Sequence, residues 1–255
     1  MHILEEKIRA AKKNGKPALV PFLTAGYPDL SSFWPTMVDL DENGASIIEI
    51  GVPFSDPVAD GPVVEAASKQ ALRDGVTLAA VLRGLAERKG LFKAGIVLMG
   101  YYNPFLQYGL DRVAKEAREG GVHGIIVPDL PLEESDNMRS ALKNEGIALI
   151  TLVGPNTSAK RMQEYAAVSE GYIYVVSVMG VTGARKELPK ELTETLLRAR
   201  DSFHLPLALG FGLQAPSQLQ GLPEKAMPDA VIFGSALLRF LADGGNAADF
   251  LARWL

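Results

Sequence analysis

The 255-residue chain contains no cysteine. That excludes disulfides, a thiolate nucleophile and cysteine-ligated zinc. Histidine is nearly as scarce, with only His2, His123 and His204 in the whole sequence. His123 and His204 directly precede the fourth and seventh apolar runs, so neither stands where such a run ends, and no histidine cluster for a metal is expected there. No apolar run approaches the ~18 residues of a membrane span. The start, "MHILEEKIRAAKKNGK", has no apolar core segment of a signal peptide and predicts an amphipathic helix. Long basic blocks are also missing and the net charge is −4, which argues against a nucleic-acid footprint. Together these absences suit a cytoplasmic protein.

What is present is apolar and regularly interrupted. Hydrophobic residues make up 47% of the chain and charged ones 22%, enough for a large core. Eight short apolar runs recur: "ALVPFLTAG" from Ala18, "SIIEIGV" from Ser46, "AGIVLMG" from Ala94 and "GIIVPDL" from Gly124, then "ALITLVG" from Ala148, "YIYVVSV" from Tyr172, "PLALGFG" from Pro206 and "DAVIFGS" from Asp229. Most read as buried on both faces, the pattern of parallel strands covered by helices. Helical stretches such as "LAAVLRGLAERKG" and "LDRVAKEAREG" separate them. Eight strands alternating with helices predict a (β/α)8 barrel, preceded by one extra N-terminal helix. A doubly wound open sheet is the alternative. No linker or shift in composition divides the chain, so residues 1–255 read as one domain.

In such a barrel the active site lies where strands end at their C-termini. Two glycine stretches there point to phosphate. "GFG", Gly210 to Gly212, follows the seventh strand, and Gly234-Ser235 follows the eighth and opens a helix. Backbone N–H groups and a helix N-terminus can converge on an anion at those two positions. "GVTGAR", from Gly180, follows the sixth strand and reads either as a mobile lid or as an ordinary loop. Among lysines only Lys186, inside that loop, is near a strand C-terminus, so a Schiff-base mechanism is disfavoured. Carboxylates and a tyrosine must then carry acid–base work. Glu49 stands out, because it interrupts the apolar strand "IIEIG" on the same face as Ile47 and Gly51. Burial would raise its pKa and make it a proton donor or acceptor near neutral pH. Asp56 and Asp60 follow in the same Gly/Pro-rich loop, and spacing does not choose between them.

The stretch "IEIGVPFSDPVADG" resembles the signature of the tryptophan synthase alpha chain family. The likeness continues through "PFLTAG", "MGYYNP", "VPDLPLEE", "GVTGAR", "GFG" and "GSAL", in order, over nearly the whole chain. The resemblance implies a (β/α)8 barrel that cleaves indole-3-glycerol phosphate to indole and glyceraldehyde 3-phosphate. It implies Glu49 as the acid–base group at the indole C3 and Asp60, not Asp56, as the carboxylate pairing with the indole N–H. Tyr174 stands beside that pair. Thr182 and Gly183 belong to a lid over Gly180 to Leu188. Gly183, Gly212, Gly234 and Ser235 would hold phosphate, and Phe22, Tyr101 and Phe211 would wall the indole pocket. No cofactor or metal is implied for this chain. Pyridoxal phosphate belongs to a partner, the beta chain, in an alpha2beta2 heterotetramer, docked on Pro53, Asp56, Pro57 and neighbouring rim loops. "GAR" in the lid is also similar to stand-alone lyases that release free indole, and an idle barrel that only activates its partner is a third possibility. The segment before the last strand lacks the usual "GADG", which predicts an abbreviated seventh helix.

Overall fold

The computed structural model describes residues 1–13, 16–176, 190–210, 212–213 and 215–254. The described residues form nine strand segments: β1 (Ala18–Thr24), β2 (Ile47–Gly51), β3 (Gly95–Met99), β4 (Val122–Ile126), β5 (Ala148–Leu149), β6 (Thr151–Val153), β7 (Ile173–Val176), β8 (Leu207–Gly210) and β9 (Ala230–Phe233). Every pairing between them is parallel, in the order β5-β4-β3-β2-β1-β9-β8-β7-β6. The two ends of that order, β5 and β6, are consecutive in the chain and separated only by Ile150. They are two halves of one barrel strand, the fifth apolar run. Its first half pairs with β4 and its second with β7, and the Ile150 N–H continues the ladder by donating to the Ile125 carbonyl at 2.9 Å. The sheet therefore closes, and the open doubly wound alternative falls.

The strands are buried on both faces: all seven residues of β1 and all five of β2 and β3 are buried. The covering helices are α1 (Ile3–Lys13), α2 (Leu30–Glu42), α3 (Pro62–Arg73), α4 (Leu78–Ala86), α5 (Tyr102–Tyr108), α6 (Leu110–Glu119), α7 (Asp136–Asn144), α8 (Ala159–Ala166), α9 (Lys190–Ser202), α10 (Ser235–Ala242) and α11 (Ala247–Leu251). Among the described residues between β8 and β9 there are two 3-10 turns, Pro216–Leu219 and Glu224–Ala226, and no α-helix, so the seventh helix is abbreviated as predicted. Two boundaries differ from the sequence reading. β4 begins at Val122, two residues early, because the His123 ring faces β3 and its Nδ1 accepts the Ile96 N–H. α5 falls in "YYNPFLQY", where Pro104 sits in the first turn and so removes no intrahelical bond.

Helix α1 closes the N-terminal end of the barrel. A side chain at Gly95 would stand 2.6 Å from Leu4 Cδ2 and 3.3 Å from Ile47 Cγ1, so Leu4 and Ile47 meet inside it. Since side chains alternate along a strand, Ile47, Glu49 and Gly51 all point inward. Ile47 occupies the floor, Glu49 the middle and Gly51 the mouth.

Asp229, just before β9, ties the same end together. It accepts from Lys12 of α1, from Arg200 of α9 at 2.6 Å and from the Leu207 N–H at 2.8 Å. Burial alone would raise its pKa, but these donors together hold the carboxyl below its ordinary value.

Candidate active site

The recess at the opposite end, where the strands finish, is lined by residues from several of them: Phe22 of β1, Met99 of β3, Tyr174 of β7, Gly212 after β8, and Gly234 and Ser235 after β9. Asp60, from the loop between β2 and α3, completes the wall. Including its open mouth the recess measures about 660 Å³.

Glu49 lies beneath it. Its side chain is fully buried, and neither carboxyl oxygen has a hydrogen-bond partner among the described residues. Desolvation, then the nearby charge of Asp60, push its pKa up to about 8. Asp60 is pushed up to about 6, first by burial and further by Glu65, against a hydrogen bond from the Tyr101 hydroxyl that favours its ionised form. Two carboxyls with different environments thus stand at one recess. At pH ~7 Glu49 is mostly protonated and Asp60 mostly ionised. Tyr174 and Tyr172 face Glu49 from β7 and its approach; burial, then the Glu49 charge, raise both phenols well above their ordinary value.

Glycines shape this site by letting aromatic rings come close. A Cβ at Gly51 would stand 2.5 Å from Phe22 Cζ, and one at Gly234 2.9 Å from Phe22 Cδ1. The Phe22 ring therefore lies flat between two strand ends. A Cβ at Gly210 would stand 2.3 Å from the Tyr174 hydroxyl, so only glycine admits that tyrosine to the barrel interior. Gly212, which lines the recess, has φ +86, left-handed backbone that favours glycine. Gly234 and Ser235 open α10, presenting its unpaired N–H groups to the same wall.

Tyr101 stands beside Asp60 at the edge of the recess: its hydroxyl accepts from the Ala59 N–H at 2.9 Å and bonds Asp60, and its ring stacks on Phe54 at 5.2 Å. Tyr101 fixes the loop that carries Asp60. Of the expected partner residues, Asp56 is exposed, Pro57 half-buried and Pro53 buried. Val58, inside the expected docking loop from Pro53 to Asp60 though not singled out there, is 84% exposed, and Leu106 of α5 is exposed on the neighbouring rim. An apolar residue within a Pro-rich loop was the only available signal for Val58. Thr182, Gly183, Phe211 and the Gly180 to Leu188 loop lie outside the described residues. Among the described residues no group of three or more histidine, aspartate or glutamate side chains is placed to hold a metal, and no helix is long and apolar enough to cross a membrane.

A closed parallel barrel carrying two buried carboxyls of raised pKa at its C-terminal mouth is the equipment of a barrel enzyme with acid–base groups. The chain belongs to the tryptophan synthase alpha chain family, whose sequence profile matches residues 8–252. A tryptophan synthase alpha chain from Desulfovibrio desulfuricans is 65% identical over 254 residues, with 100% of both chains covered. One from Nitratidesulfovibrio vulgaris strain Hildenborough is 59% identical, covering 98% of this chain and 97% of its own. Among solved structures, Mycobacterium tuberculosis tryptophan synthase superposes with a TM-score of 0.89 at 32% identity, covering 100% of this chain and 99% of that one. The tryptophan synthase a2b2 complex of Pyrococcus furiosus contains a chain 36% identical with a TM-score of 0.84, covering 93% and 95%. Members of the family are lyases that cleave indole-3-glycerol phosphate.

Proposed function

We propose that Glu49 and Asp60 carry out this cleavage as a proton donor and a charge partner. The carrying observation is the fully buried, unpartnered Glu49 carboxyl, raised to about 8, beside an Asp60 raised only to about 6. The phosphate sits against the N–H groups at the start of α10 and at Gly212, and that remote binding fixes the indole above Glu49. Glu49 gives its proton to the indole C3, forming a cationic indoleninium. Ionised Asp60 pairs with the ring N–H as positive charge gathers there. The Glu49 carboxylate so formed takes the proton of the glycerol hydroxyl next to the ring. As the O–H pair becomes a carbonyl, the C–C bond breaks and its electrons return to the ring. Indole and glyceraldehyde 3-phosphate result, and the proton is back on Glu49. Tyr174 packs beside the pair, Phe22 forms the apolar wall for indole, and Tyr101 holds Asp60 in place. Thr182 and Gly183 serve as lid, with Gly183 a further phosphate ligand and Phe211 a further indole wall.

This reading gives the chain no cofactor of its own and assigns pyridoxal phosphate to a beta chain. That partner docks on the mouth, where Asp56 and Val58 of the loop after β2 and Leu106 of α5 are exposed and Pro57 is half-exposed. The Phe54–Tyr101 stack links that surface to Asp60, so docking can shift a reacting group. The test is cleavage by the full chain, followed as indole and glyceraldehyde 3-phosphate release, with and without a beta chain. Stoichiometric products, a higher kcat with the beta chain and a complex by sedimentation support it. Full activity alone with no complex makes the chain a stand-alone lyase, and no cleavage in either condition leaves an idle barrel.

A further inference from the structure

The phosphate subsite described above consists of backbone N–H groups, a hydroxyl and a helix terminus. A phosphate dianion approaching a chain of net charge −4 meets no cation in that set. One does stand on the same wall. Arg239 lines the recess together with Gly212, Gly234, Ser235 and Ala236. It lies in α10, four residues after Ser235 and three after Ala236, so all three occupy one helix face. Helical side chains lean toward the N-terminus, and the Arg239 side chain accordingly covers the turn where the anion would sit.

Among the described residues no other group claims the guanidinium. Among the described residues it makes no ion pair, while Arg9, Arg88, Arg112 and Arg200 each make one and Arg161 makes two. It does not neutralise Asp60, the other charged residue of the wall, whose surroundings are burial, Tyr101 and Glu65 with no cation. Its place in the last turn of α10 favours the helix dipole, but that would not direct the side chain into the recess.

We propose that Arg239 is the cation of the phosphate subsite, setting affinity for the phosphorylated substrate and leaving the chemical step alone. The inference rests on the phosphate reading and is tested beside it. Arg239 is exposed, so its contribution is screened by water and salt. Arg239→Gln is expected to raise KM for indole-3-glycerol phosphate, and Kd for glycerol 3-phosphate by calorimetry, about fivefold at low salt. The difference should shrink toward nothing in ~1 M salt, where the Debye length is about 3 Å. Arg239→Lys should recover most of the affinity, and kcat should stay within about twofold, since uniform binding changes KM and not kcat. Ser235→Asp serves as the control: an acidic residue at a helix start favours folding but repels phosphate. If Ser235→Asp raises KM while Arg239→Gln leaves KM, Kd and their salt dependence unchanged, Arg239 has no such role. If neither variant changes KM, the phosphate site itself is misplaced.

Discussion

Among the described residues both oxygens of the buried Glu49 side chain are unbonded and no cation acts on its pKa. Its protonated form is therefore favoured by folding. A carboxyl raised from 4.5 to about 8 binds more protons folded than unfolded between those values, so stability must fall as pH rises through that window. Glu49→Gln removes the titration and keeps the shape. Thermal unfolding at about pH 8.5 should show the variant more stable than wild type, with the advantage gone near about pH 4.5. An equal Tm difference at both values would show that Glu49 is not buried in the way described. This much was legible in the sequence, since a glutamate between isoleucines on a strand is anomalous whatever surrounds it. Asp60 was not separable from Asp56 by spacing. The structure separates them through Tyr101, whose hydroxyl bonds Asp60 from the next strand end, while Asp56 is exposed and its carboxylate accepts from the neighbouring Ser55 hydroxyl. That contact spans about forty residues and leaves no local trace.

Strands and their ends divide the work between stability and chemistry, as barrel faces do. At the N-terminal end, Asp229 joins α1, α9 and β8 through three donors. Asp229→Asn leaves buried donors short of an acceptor and should cost about 2 kcal/mol in denaturant unfolding, below the figure for fully buried pairs because Lys12 and Arg200 are partly exposed. Because folding lowers the Asp229 pKa, its contribution is present above the ordinary aspartate range and lost on acidification. Turnover per folded molecule should be unaffected. At the C-terminal end the opposite holds for Gly210. Its Ala variant puts a methyl 2.3 Å from the Tyr174 hydroxyl and must move that ring toward Glu49 and the recess. Gly210→Ala should lower kcat at least about tenfold while circular dichroism stays native; retained kcat would mean Tyr174 is not needed where it stands. The strand set was readable because both-face burial produces continuous apolar runs. The split at Ile150 was not, because "ALITLVG" keeps its apolar pattern through the break. Helix α5 was missed because its Asn-Pro reads as a turn, although proline in a first turn costs nothing.

At the scale of the molecule, one closed barrel holds floor, reacting pair and docking rim in sequence along its axis. Leu4 and Ile47 seal the floor, Glu49 lies in the middle, and Asp60 hangs from the loop that ends in the exposed Val58. A charged residue at that tip should disturb association without touching the pair below. Val58→Asp is expected to weaken the complex with a beta chain at least about tenfold by sedimentation, while the isolated chain keeps its own cleavage rate; unchanged association would place the interface elsewhere. The family likeness was visible in the sequence from one long motif, whereas the depth of Glu49 beneath the recess was visible only in the fold. The claim at the centre is that Glu49 donates the proton while Asp60 stays ionised. It is tested by the single-turnover rate of indole-3-glycerol phosphate cleavage against pH, for wild type and Glu49→Gln. Wild type should follow a bell, rising as Asp60 ionises near about 6 and falling as Glu49 loses its proton near about 8. Glu49→Gln should be slower by about 10²–10⁴-fold and lack the upper limb. A variant retaining more than about a tenth of the wild-type rate, with the bell intact, would contradict it.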